Sequence, residues 1–138
     1  MTSYTELCEI ADKNDVLMIS GKLHNAPSIA ICDGGACTAI FDYSKIHNEA
    51  ELMTCTAHEV GHCATGAFYT ENTLELRSRM EYRANKWAIK KLIPRDELEE
   101  AVKSGYTEVW QLAELFCVTE DMMRFAIWIY FDISAQNC

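Results

Sequence analysis

Basic residues are scarce in this chain: 12 Lys and Arg stand against 21 Asp and Glu in 138 residues, a formal net charge of -9. Non-specific nucleic-acid binding needs a basic surface to neutralise phosphates, so the composition argues against that class. It leaves room for a protein partner with a basic surface. Long apolar runs are missing too. The longest candidate, from Phe125 to about Ile133, is interrupted by Asp132 and falls well short of the roughly 20 residues that span a bilayer. The first residues, Met1 to Glu6, contain neither a basic nor an apolar segment, so no secretory signal is expected. The seven cysteines, Cys8, Cys32, Cys37, Cys55, Cys63, Cys117 and Cys138, include no CxxC pair. Reduced thiols in a cytoplasmic protein are therefore expected, most of them packed as small core residues. Proline occurs only at Pro27 and Pro94, each at an expected element boundary, and there is no repeat, low-complexity segment or linker. What remains is ordinary globular composition, 49% hydrophobic and 24% charged, in a length that suits one domain over residues 1–138.

Periodicity predicts an α+β chain. A short helix is expected over Thr2 to Lys13. The run Val16-Leu17-Met18-Ile19 fits a strand or a helix end. Ser28–Cys32 and Cys37–Phe41 flank Asp33-Gly34-Gly35-Ala36, whose glycines supply the positive φ of a tight hairpin, so a small antiparallel sheet is expected here. The pattern then turns helical from about Asn48 to Ala64. Asn48 is the expected N-cap, Glu49 and Glu51 lie in the first turn, and Gly66 is the stop. Further helices are expected over Thr73–Leu92, Pro94–Lys103, Thr107–Phe116 and Thr119–Tyr130. A core over about residues 1–94 is expected, with a helical segment over about 95–138.

His58-Glu59-Val60-Gly61-His62 reads HExxH. Four residues on a helix return to one face, so the two imidazoles could share a zinc ion. Glu59 could then act as general base toward water activated by that ion, and later deliver the proton to the leaving amine. A chance match is expected in roughly one of several hundred chains of this length. The motif falls inside an expected helix and takes two of only four histidines.

A catalytic zinc needs a third protein ligand. No histidine follows His62, which excludes HExxHxxGxxH. Cys63 lies about 100° round the helix from its neighbour His62 and is poorly placed. Glu71, Glu75 and Glu81 are better, with Glu81 the first choice and Glu75 the second. Asn85 shares the face of Glu81 and could orient a histidine ring. Ala84 and Ala88 are small enough to let the two helices approach closely.

His58–His62, followed by Glu81-Tyr82-Arg83-Ala84-Asn85-Lys86-Trp87-Ala88 and Leu92-Ile93-Pro94, resembles the ImmA/IrrE family of metallo-endopeptidases. The likeness is good over Thr54–Pro94 and looser over Leu112–Phe125. Lys90-Lys91 departs from the family's more apolar pattern. The resemblance implies a zincin-like minimal peptidase core with His58, His62 and Glu81 as zinc ligands and Glu59 as catalytic base. It also implies a helix-turn-helix transcriptional repressor as substrate, often encoded beside the protease on a phage or mobile element. The alternative is a non-proteolytic anti-repressor that holds a basic regulatory protein against its acidic surface.

For the oxyanion of the transition state the candidates are Tyr69, Tyr82, Arg83 and Tyr106. The strand before the motif could offer an edge to an extended peptide, with simple core packing slightly preferred. Leu112–Arg124 has a helix-turn-helix cadence, but Glu120 and Asp121 at the start of the second helix would repel phosphate, so a structural pair is expected. The segment Met122–Ile133 is expected to be a packed helix, Trp87 and Trp110 to lie in the core, and His24 and His47 to lie outside the site.

Overall fold

A computed structural model of the chain describes residues 2–68 and 74–132, and nothing of the side chains of Leu74 and Glu75. It runs α1 (Tyr4–Lys13), β1 (Val16–Ser20), β2 (Ser28–Asp33), β3 (Ala36–Phe41), α2 (Glu49–Thr65), α3 (Leu74–Leu92), α4 (Arg95–Lys103), α5 (Val109–Phe116) and α6 (Glu120–Phe131), an α+β order. The helix ends follow local chemistry. Asn48 accepts from the Glu51 amide at 2.8 Å and caps α2, while Gly66, at φ 66°, turns the chain out of it. Pro94 precedes α4, and the Thr119 hydroxyl accepts from the Met122 amide to start α6. Thr73, the expected cap of α3, lies outside the described residues. Among those residues no helix is long and apolar enough to cross a membrane.

The sheet is mixed, where an antiparallel one was expected. β2 and β3 form the expected hairpin, its turn made by Gly34 at φ 58° and Gly35 at φ 85°, both on the side that L-residues avoid. β1 lies on the other side of β3 and pairs parallel to it, giving the order β1-β3-β2. The turn sequence dictates the hairpin locally. The parallel pair is a long-range contact, and four apolar residues carry no sign of its direction.

Helix α2 lies between two apolar clusters. On one side Val60 meets Val16, Ala39 and Phe41 from the sheet and Ala11 from α1. On the other, Met53 and Ala57 join Ile89 and Leu92 of α3, Leu98 of α4, Phe116 of α5 and Met123 of α6. Each large side chain buried this way stabilises the fold by about 1.5–3 kcal/mol. The C-terminal helices therefore share the core of the motif helix. Tyr130 closes the arrangement by donating to the Ile93 carbonyl at 2.7 Å. In the first turn of α6, Glu120 and Asp121 pair with Arg124 of the same helix. Trp87 packs half-buried beside the sheet, but Trp110 is 56% exposed, against expectation. Leu112, Ala113 and Phe116 already supply the buried face of α5, and Trp110 falls on the other.

One expectation about the cysteines is corrected. Cys37 of β3 and Cys63 of α2 form a disulfide, their Cα atoms 5.9 Å apart, whereas free thiols were expected throughout. The partners stand 26 residues apart, so only the packing of the helix on the sheet reveals the pair. Cys8, Cys32, Cys55 and Cys117 are free.

Helices α2 and α3 approach closely at Gly61. A Cβ placed on Gly61 would lie 2.7 Å from the Ala84 carbonyl oxygen and 3.2 Å from the Trp87 ring. The nearer obstacle is backbone, so the helices themselves must part to admit it. Gly61→Ala is expected to lower unfolding stability by about 1–3 kcal/mol, read from the denaturant midpoint. An unchanged midpoint would show that the helices are not in contact there.

Candidate metal centre

His58 and His62 are one turn apart on α2, and their Nε2 atoms lie 3.1 Å from each other. Glu81 reaches them from α3, with Oε2 2.9 Å from His58 Nε2 and Oε1 3.2 Å from His62 Nε2. The expected set therefore converges from two helices. It does so because Ala84 and Ala88 are fully buried small residues and Gly61 lets α3 come close.

The far side of each ring fixes its tautomer. His62 Nδ1 lies 2.5 Å from the Ala67 carbonyl, which can only accept, so this nitrogen carries the proton. His58 Nδ1 lies 2.6 Å from Asn85 Oδ1, also an acceptor, so it too is the donor. In neutral rings both Nε2 atoms then present lone pairs. With the Glu81 carboxylate they make three acceptors within 3.2 Å and no donor among them. Such a cluster repels itself unless a cation or a proton sits inside it. Two imidazoles and a carboxylate also match the chemistry of a catalytic zinc site.

The electrostatics point the same way. Burial opposes a charge on the His58 ring, but hydrogen bonding to Glu81, the charges of Glu59 and Glu81, and the Asn85 contact outweigh it and raise its pKa. Hydrogen bonds to His58 and then His62 pull Glu81 far below the usual carboxylate range, despite partial burial.

Glu59 is placed differently. One of its potential ligand atoms lies within 4.8 Å of those of His58 and His62. Glu81 comes closer, since both of its oxygens meet the ring nitrogens directly. Glu59 Oε2 instead accepts from the Ser28 hydroxyl of β2 at 2.5 Å. Burial pushes the Glu59 carboxyl up, and the His58 charge, the Ser28 bond and the His62 charge only partly offset it. A buried carboxyl with a raised pKa, held beside the cluster by the Ser28 hydroxyl, suits a proton acceptor.

These groups open into a cavity of about 500 Å³ lined by Ser28, Ile29 and Ala30 of β2, by Phe68 and by Arg77. Sequence reasoning missed Ser28, the Ala67 carbonyl and Arg77. The first two are brought in by the sheet and by the Gly66 turn, neither of which has a motif. Arg77 had a signal, since it precedes Glu81 by four residues and shares its face. Of the residues proposed for the oxyanion, Tyr82, Arg83 and Tyr106 lie elsewhere. Tyr82 stacks edge-on against Phe125 and Trp128. Arg83 borders a separate groove, Tyr106 lies near α4 and α5, and Tyr69 is outside the described residues. Glu71 and the Glu75 side chain are outside them as well. Cys63 is occupied by Cys37, and neither His24 nor His47 lines the cavity. Comparisons with protein-family models, with curated proteins and with solved structures find no match.

Asn85→Ala removes the acceptor that orients His58 and leaves the three converging atoms in place. Affinity for a divalent metal ion, measured by chelator competition, is expected to fall about 10–100-fold. An unchanged affinity would show that the amide does not orient the ring.

Proposed function

We propose that this chain is a zinc-dependent endopeptidase with a zincin-like minimal core, similar to the ImmA/IrrE metallopeptidases. Its proposed substrate is a basic, helix-turn-helix transcriptional repressor. The observation that carries this reading is the cluster of three inward-facing acceptors, His58, His62 and Glu81, beside the buried Glu59 carboxylate, which has an oxygen within 4.8 Å of the histidine nitrogens and accepts from Ser28. Zinc held by two histidines and a glutamate supplies Lewis acidity, which acidifies water and polarises a peptide carbonyl.

The remaining work falls to side chains. Glu59 Oε1 or Oε2 takes the proton from the attacking water and returns it to the leaving nitrogen. The Ser28 hydroxyl holds that carboxylate at the cavity wall. Arg77 offers guanidinium N–H donors to the oxygen that becomes negative as the carbonyl is attacked. β2 stands at the end of the strand order with one edge unpaired among the described residues, and Ser28 to Ala30 border the cavity. An extended substrate segment adding to that edge would bring its backbone past Glu59. The excess of acidic residues would draw in a basic partner.

The purified chain is expected to bind one zinc ion, and His58→Ala to lose it. Glu59→Gln is expected to keep the metal and lose cleavage of the repressor. Arg77→Ala is expected to keep the metal while kcat falls roughly 10²–10³-fold. Metal content unaltered in His58→Ala, or cleavage retained in Glu59→Gln, would contradict the assignment. An intact complex with the repressor and no fragments would point to the non-proteolytic alternative.

A further inference from the structure

Cys32 and Cys37 are directly opposed across the β2–β3 hairpin. The two-residue Gly34-Gly35 turn is closed by the hydrogen-bonded pair Asp33 and Ala36, so by alternation Cys32 and Cys37 form a non-hydrogen-bonded pair. The Cα atoms of such pairs lie about 4.5 Å apart, inside the ~4.4–6.8 Å that a disulfide accepts. Opposed residues also share a face of the sheet. Cys37 faces α2, where it is bonded to Cys63, so Cys32 lies on the α2 side as well. It stands two residues beyond Ala30 of the cavity wall and is a free, solvent-exposed thiol. The sulfur of Cys37 therefore has a partner on either side, one across the hairpin and one on the helix.

We propose that Cys32, Cys37 and Cys63 form a thiol–disulfide exchange site. The Cys32 thiolate attacks the Cys37 sulfur. The Cys32–Cys37 bond forms as the Cys37–Cys63 bond breaks, and Cys63 leaves as the thiolate that takes up the proton Cys32 lost. One disulfide replaces another, so no oxidant or reductant is consumed. The exchange moves a covalent link from between sheet and helix to within the hairpin. Cys63 directly follows His62, and Glu59 on the same helix meets Ser28 of β2. One bond thus decides whether the helix carrying these groups is covalently tied to the sheet it faces. Cys32, being exposed, is also where a small thiol or disulfide enters the exchange.

The test is disulfide mapping of the purified, oxidised full chain. The protein is held with a trace of reduced glutathione, its free thiols are alkylated, and it is digested without reduction for mass spectrometry. Wild type is expected to yield both the Cys37–Cys63 and the Cys32–Cys37 peptides, and Cys32→Ser only the former. Cys63→Ser, in a buffer of reduced and oxidised glutathione, is expected to form the Cys32–Cys37 bond and lose alkylation at both positions. If wild type yields no Cys32–Cys37 peptide, or if Cys63→Ser leaves Cys32 and Cys37 alkylated, the exchange site is overturned. The readout needs neither bound metal nor cleavage, so its outcome is separate from that of the peptidase proposal.

Discussion

At Gly61 the backbones of α2 and α3 come so close that a single methyl group would collide with the Ala84 carbonyl. The rest of the site depends on that approach. A glutamate side chain is short, and Glu81 meets both histidines only because its helix is pressed against theirs through Gly61, Ala84 and Ala88. The approach also sets Asn85 behind His58. The glycine inside the HExxH motif is thus a packing requirement as well as a spacer. The same contact is held from outside by the clusters on either side of α2, which leave the helix little freedom to move away.

The polar groups of the site are expensive where they sit. Glu59 and His62 are each 5% exposed, and burying charge or lone pairs without partners costs several kcal/mol. Each ring solves half of its problem with a hydrogen bond to Asn85 or Ala67, and Glu59 solves part of its own with Ser28. The remaining ring nitrogens and the Glu81 carboxylate, all acceptors, lie within 3.2 Å of one another. A chain that brings these groups together carries a cost that a bound cation would offset, and that reasoning underlies the proposed zinc site. The separate placement of Glu59, close enough to act but committed elsewhere, underlies the proposed proton transfer.

Much of this was legible because its causes are local. The HExxH spacing, the Asn48 and Thr119 caps, the Gly66 stop and the Gly-Gly turn each act within one helical turn or one hairpin. Glu81 and Asn85 could be chosen from spacing on a single helix. The rest arises from contacts between elements distant in sequence. Nothing in Val16–Ile19 states that β1 will lie parallel to β3, and nothing in the spacing of Cys37 and Cys63 states that they will meet. Ser28 is one serine among several until β2 is laid against α2, and Trp110 reads as core until its helix is rotated into place.

The central claim is that three named side chains hold one metal, and the most direct test is the ligand shell itself. X-ray absorption at the zinc edge of the metal-loaded protein is predicted to show imidazole scattering from two histidines. Nitrogen and oxygen neighbours are expected at about 2.0–2.2 Å, with no sulfur. A sulfur neighbour at about 2.3 Å, or a protein that takes up no zinc to be measured, would contradict the account.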